Sequence, residues 1–232
     1  MKKLKVLLIL SLIFNLIFVL GGTAYAIKKF NTTSKIDVIY ATHYHRTSLF
    51  KLLPIKKDNI VFVGDSITQR CEWDELFNNS SIRNRGIDYD TTGNILSRIG
   101  EITKGKPEKI FIMAGINDLQ RGVSKDKLLS NYKYILSIIK DKSPNTKVFV
   151  QSILPVNTDT NTSFIFTNND IKNVNSQLQK IAGGFGYKYI NLYKVFADNK
   201  NQLKPYLTKD GIHLAGEGYL LWKKAIINYV NQ

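Results

Sequence analysis

Cysteine is almost absent from the chain, since Cys71 is the only one among 232 residues. No intramolecular disulfide can therefore form. Proline (5) and glycine (15) are too few for a long disordered linker, and neither a low-complexity stretch nor an internal repeat interrupts the sequence. Because 44% of the residues are hydrophobic, the chain can bury one substantial core, and we expect one globular domain.

Acidic residues are also scarce, with 18 Asp and Glu against 33 Lys and Arg, which gives a net charge of +15. A basic surface attracts nucleic acid when its cations are concentrated. Here the lysines are spread along the chain in pairs such as Lys56/Lys57 and Lys223/Lys224. We therefore expect no specific nucleic-acid partner, and a basic surface that lies near anionic lipid or an anionic cell wall.

A long apolar run occurs near the N-terminus. Lys2, Lys3 and Lys5 precede residues 6–27, whose 22 residues are enough to cross a bilayer at a rise of about 1.5 Å per residue. Two outcomes stay open: a signal peptide cleaved after Ala26, or a retained membrane anchor, which the length favours. In both cases the lysines stay cytoplasmic, and the rest of the chain lies outside the membrane.

The sequence then divides into three predicted parts. Residues 1–30 are the signal peptide or anchor, residues 31–58 connect it to the body, and residues 59–232 form the folded domain. The connecting segment contains the pair His43 and His45. Two histidines can bind a metal, but since no further ligands lie nearby we interpret them as part of a polar loop and predict no metal site.

Short apolar runs alternate with segments of helical periodicity from residue 59 onward, which predicts an α/β fold. We expect a small, mainly parallel sheet of about five strands between two helix layers. The predicted strands are 60–63, 81–83, 110–113, 148–150 and 189–190, and the predicted helices are 92–102, 125–140, 168–182 and 215–230. Ligands of such sheets bind beyond the carboxyl ends of the strands.

Four short motifs stand out in the body. Gly64-Asp65-Ser66-Ile67-Thr68 follows the first strand and Gly115-Ile116-Asn117-Asp118 follows the third, while Asn84-Arg85-Gly86 lies between them and Asp210-Gly211-Ile212-His213 precedes the last helix. In this order and context, the motifs resemble the signature blocks of the SGNH hydrolases, also called GDSL-type esterases. The resemblance extends over residues 59 to about 220 and implies that family's three-layer, flavodoxin-like α/β/α fold.

The resemblance also implies an activity, the hydrolysis of acyl esters, with Ser66 as nucleophile, His213 as base and Asp210 as its orienting acid. A serine hydroxyl needs a base within hydrogen-bonding reach, and a carboxylate fixes the tautomer of that base. By the same resemblance, the backbone N–H groups of Ser66 and Gly86 and the amide of Asn117 form the oxyanion hole. We expect no cofactor, and a lipid ester or an O-acylated glycan as substrate.

One departure from the family concerns the segment after Gly86. Many members have a second glycine there, whereas this chain has the bulkier Tyr89, which affects the predicted pocket shape. Trp73 and Phe77 lie close to the same motifs and can line a site or belong to the core. Asp65 and Asp118 are interpreted as structural, the first bonding backbone N–H groups of its own loop.

Two alternatives come from other functional classes. A metal-dependent phosphoesterase would use Asp65, Asp118, Asp210 and His213 as ligands, but leaves Ser66 and Asn117 without a purpose. A non-catalytic cell-surface binding module would not need Ser66 at all. The sequence does not fix the oligomeric state.

Overall fold

The computed structural model describes residues 2–232, and their side chains except at positions 2, 4 and 30–36. The predicted boundary at residues 30 and 31 therefore falls where side chains are outside the description. Residues group into two compact units, Met1–Tyr44 and His45–Gln232. The elements follow in the order α1 (Lys2–Leu52), β1 (Ile60–Gly64), α2 (Ser66–Gln69), α3 (Trp73–Phe77), β2 (Ile82–Gly86), α4 (Thr92–Lys104), β3 (Lys109–Met113), α5 (Ile116–Gln120), α6 (Lys125–Lys142), β4 (Lys147–Gln151), α7 (Asn168–Gly184), β5 (Lys188–Ile190), α8 (Leu192–Phe196), a 3-10 turn (Pro205–Leu207) and α9 (Gly216–Asn231).

The N-terminal helix α1 contains a span, Lys5–Lys29, that is long and apolar enough to cross a membrane. Its apolar side chains are exposed, as expected of a segment that a bilayer would cover. The helix continues to Leu52, so His43 and His45 lie on a helix. The predicted polar loop at these histidines is therefore wrong: this part of the connecting segment is helical.

The sheet has five parallel strands in the order β2-β1-β3-β4-β5. This is the flavodoxin-like order, and the predicted α/β/α fold is confirmed. The strands are short and almost continuously apolar because both faces of the sheet are covered. Their carboxyl ends meet at one edge, where the chain leaves β1 into α2 and β3 into α5.

An aromatic ladder fixes one face of the sheet. Phe62, Phe111 and Phe149 occupy matching register positions on β1, β3 and β4, and their rings stack at 4.9 and 4.5 Å. Trp73 of α3 stacks on Phe62 at 4.2 Å and meets Trp222 of α9 edge-on at 5.0 Å. Trp73 is fully buried and belongs to the core, together with Phe77. On another side, α6 packs against both α4 and α7.

Candidate active site

Ser66 lies at the first turn after β1, at the carboxyl edge of the sheet. The turn is tight: a Cβ on Gly64 would lie 2.5 Å from the carbonyl oxygen of Met113, so only glycine fits there. Asp65 caps the short helix α2, because its Oδ1 accepts a hydrogen bond from the Ile67 N–H at 3.0 Å. The predicted structural role of Asp65 is confirmed, and Ser66 projects from a fixed turn.

His213 and Asp210 come from the loop before α9, and His213 is 147 residues from Ser66 in the sequence. The His213 Nε2 lies 3.0 Å from the Ser66 Oγ, and its Nδ1 lies 2.6 Å from the Asp210 Oδ2. The structure thus brings all three side chains into one continuous relay. This is the geometry in which a histidine takes a proton from a serine while a carboxylate orients the imidazole.

The loop around Asp210 is closely specified. The Asp210 Oδ1 accepts hydrogen bonds from the backbone N–H groups of His213 and Ile212, at 2.8 and 3.1 Å. Burial alone would raise the pKa of Asp210, but the hydrogen bonds from the His213 side chain and from these N–H groups lower it to about 2. Asp210 is therefore a carboxylate at neutral pH, as the predicted orienting role requires.

Gly211 explains how the short motif turns. Its φ is +81°, and a Cβ there would lie 2.6 Å from the carbonyl oxygen of Asn157. The Asn157 N–H in turn donates to the Gly211 carbonyl at 2.8 Å. The loop after β4 therefore supports the loop that carries His213, and glycine is needed at this contact.

Asn117 lies in the first turn of α5, the helix that follows β3. Its Nδ2 donates to the carbonyl oxygen of Asp90 at 3.0 Å, which fixes the amide beside the loop that follows β2. The next residue, Asp118, accepts from both the N–H and the hydroxyl of Thr92, at 2.9 and 2.6 Å. The predicted bracing role of Asp118 is confirmed, and α4 and α5 are joined beside the site.

Gly86 does not present a free N–H. Its backbone N–H donates to the Asn84 Oδ1 at 2.8 Å. The absence of a side chain serves packing instead, because a Cβ on Gly86 would lie 2.3 Å from the backbone nitrogen of Gln69. The prediction of Gly86 as an oxyanion donor is thus corrected: that hydrogen bond is already made inside the protein.

Tyr89 lies in the loop that follows β2, and its N–H differs from that of Gly86. Its N–H has no hydrogen-bond acceptor among the residues that the structure describes. Its φ is +68°, a left-handed conformation that favours glycine, and its side chain is 38% exposed. The Tyr89 carbonyl accepts from the Arg121 Nη2 at 2.7 Å. The only sequence signal for this position was the tyrosine at a place where many relatives have glycine.

Charges below the site are compensated by buried contacts. The buried Asp90 pairs with Arg98, whose Nε lies 2.8 Å from the Asp90 Oδ2, and Arg98 also donates to the Gly64 carbonyl at 3.1 Å. Burial raises the pKa of Asp65 to about 7. The hydrogen bond from the Ile67 N–H lowers this pKa, and the charges of Asp90 and Asp118 raise it further.

Cys71 is the one cysteine of the chain. Burial raises the pKa of its thiol to about 12, so the thiol stays protonated at neutral pH.

A narrow apolar recess is lined by residues that neighbour Ser66 and His213 in the sequence. Its free volume is about 10 Å³, on the order of one water molecule. Its walls come from the neighbours of the predicted site residues and from the segment after β4: Asp65, Ile67, Met113, Ala114, Ile116, Ile153, Leu154, Pro155, Val156 and Ile212.

The ligand set of the alternative metal site does not assemble. Within residues 2–232 as described, no group of three or more His, Cys, Asp or Glu side chains is close enough to hold a metal ion. Asp65 and Asp118 instead hold backbone and side-chain groups of their own surroundings. The positions of these carboxylates therefore give the phosphoesterase alternative no support.

Solved structures share this fold. A protein from Streptococcus pneumonia, described provisionally as a platelet activating factor, is 28% identical with a TM-score of 0.81 over 87% of this chain and 98% of its own. That share is about 202 of 232 residues, more than the 180 that follow Leu52. A GDSL-like lipase from Bacteroides thetaiotaomicron, 23% identical, covers 83% of this chain and 98% of its own with a TM-score of 0.72, and shows the same fold.

Known proteins also resemble this chain in sequence. The platelet-activating factor acetylhydrolase IB subunit alpha2 of Gallus gallus is 33% identical over 106 residues, 43% of this chain and 45% of its own length. The match thus spans less than half of that relative. The family described as GDSL-like lipase/acylhydrolase matches residues 62–221, which include every motif of the site. The chain therefore belongs to the GDSL-like lipase/acylhydrolase family.

Proposed function

We propose that this protein cleaves short acyl esters by a serine acyl-enzyme mechanism, with Ser66 as nucleophile, His213 as base and acid, and Asp210 as orienting carboxylate. The observation that carries the proposal is the relay Asp210–His213–Ser66, with contacts of 2.6 and 3.0 Å. His213 accepts the Ser66 proton as Oγ attacks the ester carbonyl. His213 then returns the proton to the departing alcohol, and water hydrolyses the acyl-enzyme by the same route.

The attack places negative charge on the former carbonyl oxygen, and donors must be fixed there in advance. We assign this role to the Ser66 N–H, the Asn117 Nδ2 and the Tyr89 N–H. Tyr89 replaces Gly86 in this set because the Gly86 N–H is bonded to Asn84. The carbonyls of Tyr89 and Asp90 are bound by Arg121 and Asn117, so two of the three donors belong to one hydrogen-bonded assembly.

Two observations support a short acyl group. The apolar recess lined by Ile67 and Ile212, the sequence neighbours of Ser66 and His213, has room for about one water-sized group, which suits the methyl of an acetyl ester. Relatives of this chain are named acetylhydrolases. A longer acyl chain would have to displace Leu154 or Ile212 from the walls of the recess, so we expect hydrolysis to fall steeply with chain length.

The substrate is proposed to lie in the cell envelope, as an acetylated lipid or an O-acetylated glycan. The span Lys5–Lys29 supports export as a signal peptide or a membrane anchor, and the net charge of +15 suits an anionic surface. Both substrate types present an acyl ester that the same relay attacks.

The test is hydrolysis of p-nitrophenyl acetate, butyrate and octanoate by the full chain in detergent, with and without EDTA. We expect EDTA-insensitive turnover that is highest for acetate and is abolished in Ser66→Ala. The matched control is Ser97→Ala, because Ser97 is an exposed serine on α4 that binds only the Asn94 carbonyl. Turnover that survives in Ser66→Ala would refute the nucleophile assignment. Acetylated phospholipid vesicles and O-acetylated glycan polymers, assayed for released acetate, then separate the two substrate types.

A further inference from the structure

The end of α1 is attached to the strand that leads into the active-site loop. Arg85, the residue before Gly86 on β2, is only 5% exposed, and its Nη2 donates to the Leu53 carbonyl at 2.6 Å. The same guanidinium lies 4.5 Å from the ring centre of Phe50. Cation–π contacts are strongest where water is excluded. Arg85 thus joins β2 to the last turn of α1 by two different interactions.

Phe50 is contacted by a second cation. The Arg46 guanidinium lies 4.7 Å from the ring centre of Phe50, one helical turn away. Arg46 and Phe50 therefore share one face of α1, and this face meets Arg85. All of these residues belong to the compact unit His45–Gln232, so this part of α1 is built into the same unit as the active site.

Arg46 also acts on the loop itself. Burial lowers the pKa of Arg46, and the charges of Asp88 and Glu72 oppose that effect, which puts these carboxylates within electrostatic reach. Within the described chain, the Arg46 Nε and the Asp88 Oδ1 are both buried without a hydrogen-bond partner. Asp88 forms its ion pair with Arg70, so Arg46 acts on Asp88 through the field of its charge and not through a direct contact.

Asp88 immediately precedes Tyr89. Its N–H is bound by the Gln69 Oε1 at 2.8 Å, and its Oδ2 lies 3.4 Å from the Arg70 guanidinium, which is 44% exposed. The contact with Arg70 is long and open to solvent, so it contributes little. The buried Asp88 Oδ1 has no hydrogen-bond partner in the described chain, and the charge of Arg46 lies within electrostatic reach of this carboxylate. Helix α2 therefore holds the Asp88 backbone through Gln69, and the link from Asp88 to α1 is electrostatic.

We propose that the last two turns of α1 are a positioning element of the active site, in which Phe50 fixes Arg85, and Arg46 fixes Asp88, so that the Tyr89 peptide stays in its left-handed conformation. The match to the structure from Streptococcus pneumonia covers more residues than follow Leu52, so it includes part of the chain before Leu53. This agrees with an end of α1 that belongs to the fold. The last two turns of α1, which belong to the same compact unit as the active site, thereby support the oxyanion loop. The proposal rests on the proposed function, because it assigns the Tyr89 N–H to the oxyanion hole.

The test compares Arg46→Met, Asp88→Asn and the double variant in the full chain, with p-nitrophenyl acetate as substrate. We expect each single variant to lower kcat on the order of tenfold with KM nearly unchanged, and the double variant to be no worse than either single one. Arg46→Lys keeps the charge and should recover part of the loss. Leu49→Ala is the control, since Leu49 is 44% exposed on the same helix.

Hydrogen exchange of the loop 86–92 gives a readout that does not depend on ester hydrolysis. We expect faster exchange there in Arg46→Met and in Phe50→Leu, which loses both cation–π contacts but keeps an apolar side chain. If Arg46→Met fails to fold, Phe50→Leu carries the same test. Unchanged kcat and unchanged exchange in these variants would overturn the positioning role. An inactive wild type with altered exchange in the variants would count against the proposed function alone.

Discussion

The Nδ2 of Asn117 donates a hydrogen bond to the backbone carbonyl of Asp90 at 3.0 Å. A side-chain amide nitrogen carries two N–H groups, so one is held by Asp90 and the other is left for the proposed oxyanion. The contact therefore fixes the direction of the donor before any substrate binds. Preorganised donors of this kind are the main source of stabilisation for a developing oxyanion.

Replacing Asn117 should consequently affect the chemical step. We expect Asn117→Ala to lower kcat by about 10² to 10³ with little change in KM, since the lost interaction forms in the transition state. Asn117→Asp keeps the size of the side chain but puts acceptor oxygens in place of the donor, and should be at least as impaired. Steady-state kinetics with p-nitrophenyl acetate checks both, and a wild-type kcat in either folded variant would contradict the assignment.

Asp210 gives a prediction with a defined pH range. Asp210→Asn keeps an acceptor for the His213 and Ile212 N–H groups but favours the wrong imidazole tautomer, so kcat should fall on the order of 10³ to 10⁴. Because the pKa of Asp210 is lowered to about 2, its ionised form stabilises the fold above the unfolded value near 4, and this stabilisation is lost as the pH falls from about 4 to 2.

The measurement is a pair of pH profiles. Urea unfolding between pH 2 and 6 should show a weaker acid dependence in Asp210→Asn than in the wild type, while kcat differs at every pH. His213→Ala serves as a comparison, because it removes both the base and the partner of the carboxylate. A variant Asp210→Asn with nearly full activity would exclude the orienting role.

The sequence predicted those parts of the molecule that depend on local patterns. The apolar runs at 60–63 and 110–113 become buried parallel strands, because a sheet covered on both faces needs continuous hydrophobic runs. Since Ser66 and Asn117 follow these runs directly, their convergence at the carboxyl edge follows from the topology. The meeting of Ser66 with His213 needed the family resemblance, because no local pattern relates residues so distant in the chain.

The sequence was insufficient where one residue type serves two purposes. Gly86 is required by packing against Gln69, and from sequence this glycine looks the same as one required by a free N–H. The partner of its N–H is a side-chain oxygen of Asn84, whose rotamer is set by three carbonyl contacts in the turn 68–71. Likewise, no composition signal extends α1 to Leu52, because that part is helical through contacts such as those of Phe50 with Arg85.

Gly86 and Tyr89 should respond oppositely to substitution. Gly86→Ala forces a Cβ against the backbone of Gln69, so we expect a loss of about 1 to 3 kcal/mol in the free energy of unfolding. Tyr89→Gly removes the strain of a non-glycine residue at a φ of +68°. Its removal should raise the free energy of unfolding by on the order of 1 kcal/mol, and the greater backbone entropy of glycine in the unfolded state offsets part of this gain. Tyr89→Gly keeps the N–H and should keep kcat within a few-fold.

Thermal unfolding and acetate kinetics together check this pair. Tyr89→Ala is the control, because it removes the ring but retains the left-handed strain. If the Tyr89 side chain itself takes part in the reaction, Tyr89→Gly and Tyr89→Ala will both lose kcat to the same extent, and the donor would then not be the relevant feature of this position.

Asp65 makes stability depend on pH in the opposite direction to Asp210. Its carboxyl is fully buried and its pKa is raised to about 7, so the folded state binds a proton that the unfolded state releases near pH 4. The free energy of unfolding contributed by this group therefore falls as the pH rises from about 4 to 7, by at most about 4 kcal/mol. Asp65→Asn retains an oxygen that can accept from the Ile67 N–H, so the cap of α2 survives.

We accordingly expect Asp65→Asn to be more stable than the wild type at pH 8 and nearly equal to it at pH 4, measured by urea unfolding at both values. Asp170→Asn is the matched control: Asp170 also caps a helix, α7, but its pKa is lowered to about 2 by hydrogen bonds from Lys125 and Thr167. That variant should lose stability at pH 8. The opposite result would be a wild type that becomes more stable relative to Asp65→Asn as the pH rises. In that case Arg98 holds Asp65 ionised, and the neighbouring charge outweighs the effect of burial.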